Sequence, residues 1–160
     1  MSCKAYFDGS CFLNNCGIGY TIRDTNGVSV CAVSHYAGRG DPLKAEYLAL
    51  MAVMERLDSL SIREAVIHGD SRTVVGQVNG QMNTRKNNRF LDVIIKTRDL
   101  LGAHPGWLLK WIPREENGLA DALAAEGLSQ VRLCCYSKRH QHVPDLRLGA
   151  FADANMHDFR

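Results

Sequence analysis

The chain has 160 residues, 46% hydrophobic and 22% charged, with a formal net charge of +2. That is the size and make-up of one folded domain with a core of its own, which excludes a disordered chain. The near-neutral balance also excludes a bulk basic field, so any nucleic-acid binding must come from a local patch.

Residues 3–7 (Cys-Lys-Ala-Tyr-Phe) read as a short strand stopped by Asp8-Gly9-Ser10. Residues 17–23 alternate and read as a second strand. Asp24-Thr25-Asn26-Gly27 is a hairpin turn, because Asn-Gly supplies the positive φ angles such turns need. Val28–Tyr36 returns as a third strand. The pattern then switches to a helical period over residues 44–59, with Pro42 at its start. Ala65–His68 reads as a buried strand ending at Gly69-Asp70-Ser71, and Arg72–Val78 as a short helix broken by Asn79-Gly80. Asn87–Leu101 is an amphipathic helix with Phe90, Leu91, Ile94, Ile95 and Leu101 on its apolar side. Trp107–Ile112 is a fifth strand ended by Pro113. Asn117 caps a last helix over 118–126, which Gly127 ends. The order βββ-α-β-α-α-β-α predicts an α/β fold: a five-stranded mixed sheet with helices on both faces. Residues 1–128 form the domain. Residues 129–160 show no period, hold five Lys and Arg against three Asp and Glu, and read as a tail.

No apolar run approaches the roughly 20 residues that span a bilayer, and the N-terminus lacks the apolar stretch of a signal peptide. The expectation is an intracellular chain without a membrane contact. Cys3, Cys11, Cys16, Cys31, Cys134 and Cys135 include no C-x-x-C pair. They read as reduced thiols rather than a disulfide scaffold or zinc site, and Cys134-Cys135 with His140 and His142 matches no standard zinc spacing.

Four carboxylates stand out by position. Asp8 and Asp70 each follow a strand directly, and ligand sites in open α/β sheets lie outside the carboxyl ends of strands. If those two strands are parallel neighbours, both acids point into one crevice. Glu46, in the first turn of the first long helix, stands beside a core-facing stripe, and Asp121 interrupts Leu119-Ala120-Asp121-Ala122-Leu123 in the same way. A carboxylate near a core is costly unless it is paired or binds a cation. Together the four suit an all-oxygen site for Mg²⁺. Each alone has a plainer reading: an Asx turn at Asp8 or Asp70, a helix-dipole partner at Glu46, a solvated residue at Asp121.

Tyr6-Phe7-Asp8-Gly9-Ser10, Lys44-Ala45-Glu46-Tyr47-Leu48, His68-Gly69-Asp70-Ser71 and Ile112-Pro113-Arg114-Glu115-Glu116-Asn117 leading into Ala120-Asp121-Ala122 occur in this order. With them the chain resembles type 1 ribonuclease H over about residues 3–128, most closely the ribonuclease-H-like domains common in plants. The resemblance implies a metal-dependent endoribonuclease that hydrolyses the RNA strand of RNA–DNA hybrids, its substrate and partner, as a monomer with no small-molecule cofactor. It implies that Asp8, Glu46, Asp70 and Asp121 hold two Mg²⁺ or Mn²⁺ ions about 3.5–4 Å apart. The RNA strand would be cut to a 3′-hydroxyl and a 5′-phosphate.

The chain departs from the family in several loops. Where many members carry a histidine before the last helix, Arg114 is the candidate, acting by charge because arginine stays protonated. Cys11–Cys16 replaces a Gly-Asn-Pro-Gly loop, leaving Asn14 or Asn15 for the minor groove. Asp41-Pro42-Leu43 replaces Thr-Asn-Asn. Arg85, Lys86 and Arg89 read as a small phosphate patch or as a solvated helix start. Gly9, Ser10, Ser71 and Asn117, which flank the acids, complete the expected substrate contacts. His68, Trp107 and Trp111 read as packing residues. A second reading is a non-catalytic module that grips hybrid or double-stranded RNA. A third is a related exonuclease or transposon-type nuclease on the same fold.

Overall fold

The computed structural model describes the backbone of residues 2–137 and the side chains of residues 2–130. Strands β1 (Ser2–Phe12), β2 (Asn15–Asp24) and β3 (Ser29–Arg39) form an antiparallel meander. Helix α1 (Pro42–Ser59), strand β4 (Glu64–Gly69), helices α2 (Arg72–Val78) and α3 (Leu91–Ala103) and strand β5 (Trp107–Trp111) follow. A 3-10 turn (Arg114–Glu116) then leads into helix α4 (Gly118–Ser137). The sheet order is β3-β2-β1-β4-β5, with β4 parallel to both β1 and β5. This is the expected mixed sheet, and it makes the strands that carry Asp8 and Asp70 parallel neighbours.

β1 does not stop at Asp8-Gly9-Ser10. Residues 8–12 stay paired to residues 15–19 of β2, and the chain reverses at Leu13-Asn14, with φ of 48° and 61°. Two consecutive positive φ values match the right-handed twist of a two-residue hairpin. Asp8 therefore sits inside a strand and not in an Asx turn. The same pairing corrects the cysteine expectation. Cys11 lies directly opposite Cys16 with Cα atoms 4.1 Å apart, and the two form a disulfide, while Cys3 and Cys31 are free thiols. The Asn26-Gly27 turn is as expected, with Gly27 at φ 81° and the Asp24 carboxylate accepting from the Asn26 and Val28 N–H groups.

Glycines set how closely the helices approach the sheet. A Cβ on Gly19 would lie 2.3 Å from the Ala124 nitrogen, and one on Gly17 2.2 Å from the Leu128 nitrogen. These two bare positions let α4 lie directly on β2. Gly127, expected to end α4, instead faces the β3 backbone, where a Cβ would be 2.4 Å from the His35 oxygen. Its smallness serves close packing, and α4 runs on to Ser137. The expected tail thus begins with a helical extension. Its residues from 138 on, and the side chains of Cys134, Cys135, His140 and His142, lie outside the described residues.

On the other face, a Cβ on Gly9 would stand 2.4 Å from the Ala45 carbonyl carbon and 2.5 Å from the Glu46 nitrogen. Gly9 is thus the point where α1 rests on β1, and it brings Glu46 down beside Asp8. Gly9→Ala is expected to cost about 3 kcal/mol, since backbone on both sides prevents relaxation. A denaturant melt checks this; an unchanged midpoint would show that α1 can lift freely.

The core between the sheet and α1–α3 is formed by Phe7, Ile18, Ile22, Tyr47, Leu50, Met54, Ile67, Val74 and Ile94, all buried. α3 begins at Leu91 rather than Asn87. Its inner face is Val93, Ile94 and Thr97, and Ile95 points outward at 46% exposure. Among the described residues no helix is long and apolar enough to cross a membrane.

Candidate active site

Asp8 from β1, Glu46 from α1 and Asp70 from the bend after β4 each offer a carboxylate oxygen within 4.8 Å of the others. Local sequence explains each placement. Asp8 faces inward at a strand position only 4% exposed, and its Oδ1 accepts from the Gly9 N–H at 2.9 Å. α1 starts at Pro42, capped by the Asp41 side chain, which accepts from the Lys44 N–H at 3.1 Å. Glu46 therefore lies past the first turn, not within it, beyond where a helix dipole acts strongly. Ser71 caps α2, which turns the chain sharply at Asp70.

Three carboxylates this close in a half-dry crevice oppose one another's ionisation. Burial, then the charges of Asp70 and Asp121, pushes Asp8 up to about 7, although its hydrogen bond with Glu46 works the other way. Burial, then the neighbouring Asp8, pushes Glu46 up to about 10. Glu46 Oε2 is buried without a hydrogen-bond partner. A buried acceptor with no donor, amid converging acids on separate elements, is the arrangement a divalent cation satisfies.

Asp121 stands at the edge of this group. Its charge is felt at Asp8 and helps to raise that carboxyl, while its Oδ1 accepts from Arg114 Nη2 at 3.0 Å. Arg114 is exposed, and its pairing with Asp121 holds its charge more firmly still. Asn117 is fully buried: its Nδ2 donates to the Phe7 carbonyl at 2.9 Å and to Asp70 Oδ2 at 3.3 Å. It ties Asp70 to β1 and presents no surface to a substrate.

The profile of the reverse transcriptase-like family matches residues 6–127. The chain belongs to that family. Within it, the chain is similar to a ribonuclease HI of Halobacterium salinarum, 31% identical over 126 residues, covering 78% of this chain and 63% of the relative's length. The crystal structure of RNase H1 from that archaeon superposes with a TM-score of 0.76 at 30% identity, over 81% of this chain and 99% of the other. The crystal structure of LC11-RNase H1 in complex with an RNA/DNA hybrid superposes with a TM-score of 0.74 at 26% identity, over 81% and 99% of the two chains. The fold is thus that of ribonuclease H.

In this reverse transcriptase-like domain the remaining expected residues fall into two groups. Asn14 is exposed at the hairpin tip, where its carbonyl accepts from the Gly40 N–H at 2.9 Å. Arg85 and Lys86 are exposed in the loop between α2 and α3, and Arg89 beside them pairs with Asp41 at 2.7 Å. The start of α1 thereby joins the hairpin tip to the basic loop. The other group is committed within the fold. Asn15 accepts from Tyr36 Oη and donates to the Leu13 carbonyl. Ser71 Oγ accepts from the Val74 N–H, Gly9 packs under α1, and Ser10 is half-buried in β1. His68 stacks on Tyr6 at 4.8 Å, and burial lowers its pKa. Trp107 is in the core, its Nε1 donating to the Ile62 carbonyl at 2.8 Å.

Sequence reasoning missed Arg72 and the role of Trp111. Trp111 Nε1 donates to the Asp70 carbonyl at 2.9 Å, and the Arg72 guanidinium lies 4.1 Å over its ring. No local sequence signal pointed to them: the placement follows from the register of β4 and β5, in which Gly69 pairs with Trp111.

Proposed function

We propose that the chain is a divalent-metal-dependent endoribonuclease that hydrolyses the RNA strand of RNA–DNA hybrids. The observation that carries this reading is the meeting of Asp8, Glu46 and Asp70 around a buried, partnerless Glu46 oxygen. A relative of the same fold solved with an RNA/DNA hybrid supports the substrate class. Asp8, Glu46 and Asp70, with Asp121 at the edge, would hold two Mg²⁺ or Mn²⁺ ions. When bound, such cations activate water for in-line attack and neutralise charge on the phosphoryl oxygens.

The chain's own residues supply position and charge. Asn117 holds the Asp70 carboxylate, and Gly9 lets Glu46 reach Asp8. Arg114 places a permanent positive charge at the rim, suited to the product phosphate and unsuited to taking a proton. Arg85, Lys86 and Asn14 lie outward for backbone contacts, and the 2′-hydroxyl distinguishes the strand to be cut.

The ends of the product test the chemistry. Water attack leaves a 3′-hydroxyl that a polymerase extends and a 5′-phosphate that a ligase joins. A 2′,3′-cyclic phosphate would overturn the reading, because it would mean that the 2′-hydroxyl attacked. One observation favours a second reading, a binding module that grips hybrid or double-stranded RNA: Asp121 is engaged by Arg114. It predicts salt-sensitive binding without turnover.

A further inference from the structure

Asp70 is the only one of the three clustered acids that lies outside a helix or strand, at the bend between β4 and α2. Its carboxylate is steadied by Asn117, but its peptide needs a separate anchor. β5 supplies one. The Ile112 N–H donates to the Gly69 carbonyl at 3.0 Å, and one residue on, Trp111 Nε1 donates to the Asp70 carbonyl at 2.9 Å.

Trp111 is 39% exposed, so burial alone explains its presence poorly. A leucine or valine would end a strand as well, and neither carries a donor. Tryptophan pairs an apolar body with an N–H that seeks a partner. The Arg72 guanidinium, 4.1 Å from the ring centre, covers that body and is itself the first residue of α2. The bend is thus clasped from both directions along the chain: β4 and β5 on one side, α2 folding back through Arg72 on the other.

We propose that Trp111 is a positioning residue for cation binding: its indole N–H fixes the Asp70 peptide, and so the direction in which the Asp70 carboxylate enters the crevice, with Arg72 holding the ring in place. The proposal rests on the metal-dependent reading above and extends it to a residue that touches neither cation nor substrate. Its role is distinct from that of Trp107, which is buried and donates to the Ile62 carbonyl before β4, not to the bend after it.

The test compares the full chain with Trp111→Phe and Arg72→Gln, titrating each with Mg²⁺ in a calorimeter and measuring Tm and hybrid cleavage. Trp111→Phe keeps an apolar ring and loses the N–H. It is expected to weaken Mg²⁺ binding about tenfold, the low end of what removing a ligand's hydrogen-bonded support costs. The KM for hybrid should stay unchanged while kcat at limiting Mg²⁺ falls. Arg72→Gln leaves the indole N–H and removes only the cation over the ring, so it is expected to weaken Mg²⁺ binding less, by about two- to fivefold. A Trp111→Phe protein that binds Mg²⁺ as the parent does, even with a lower Tm, overturns the proposal and leaves the metal reading standing. A parent that binds no Mg²⁺ overturns both. If Trp111→Phe does not fold, Trp107→Phe leaves Trp111 as the one indole of the chain. Its emission is expected to follow Mg²⁺ binding to saturation, and emission indifferent to bound Mg²⁺ overturns the proposal.

Discussion

Asp70→Asn is expected to lower hybrid cleavage about a thousandfold or more in Mg²⁺ or Mn²⁺, while hybrid binding survives. The side chain keeps its shape and can still meet Asn117, which now donates 3.3 Å from Asp70 Oδ2, so the fold has no reason to fail. What is lost is one of the carboxylates proposed to hold the cations. A cation's contribution to transition-state stabilisation is several kcal/mol, and each ~1.4 kcal/mol is tenfold in rate. Cleavage of a labelled hybrid beside fluorescence anisotropy of the same hybrid checks both halves. A variant that cuts at the parental rate would remove Asp70 from the site.

Glu46→Gln is expected to stabilise the metal-free protein. In the metal-free protein Glu46 is raised to about 10 and Asp8 to about 7. An unfolded glutamate titrates near 4.3. Between those values the native state binds more protons than the unfolded state, so native stability falls as pH rises above about 4. Below that, both states are protonated and the penalty vanishes. Glutamine resembles the protonated acid and carries no such penalty. Glu46→Gln is therefore expected to raise the Tm of the metal-free protein by about 5 °C near neutral pH, with the gain shrinking toward about pH 4. Saturating Mg²⁺ should reverse the ranking, because a ligand that binds the native state stabilises the parent selectively. Thermal melts across pH, with EDTA and with Mg²⁺, read all three effects. A Glu46→Gln protein less stable than the parent in EDTA at neutral pH would mean that the acids do not repel as placed.

The element order was legible because the periods are clean: alternation over 17–23, helical spacing over 44–59, and Asn26-Gly27 between strands. What escaped the sequence were features where a residue's usual meaning is displaced by a neighbour remote in sequence. Asp8-Gly9-Ser10 reads as a turn, yet Gly9 is there to admit α1, and β1 continues past it. Gly127 reads as a helix stop, yet it admits the β3 backbone at His35. The Leu13-Asn14 turn has no glycine to announce it, and only the placement of Cys11 opposite Cys16 reveals it. Asp70 was legible by its position after a strand, and Glu46 and Asp121 by apolar stripes beside them; Asp8 was read as a strand end too, although β1 runs on past it to Phe12. Their mutual distances depend on β1 and β4 being parallel neighbours, which local pattern alone could pose only as a condition. The Asn117 and Trp111 bonds to Asp70 depend on how the segments after β4 and β5 converge, and no short motif encodes that.

The measurement to make is incubation of the purified, folded chain with Mg²⁺ and strand-labelled RNA–DNA hybrid, beside RNA–RNA and DNA–DNA duplexes. Cutting confined to the RNA strand of the hybrid, and stopped by EDTA, is the predicted result. A chain that binds Mg²⁺ and grips the hybrid yet leaves it whole would contradict the enzyme reading, and the acids would then mark a cation-dependent binding module.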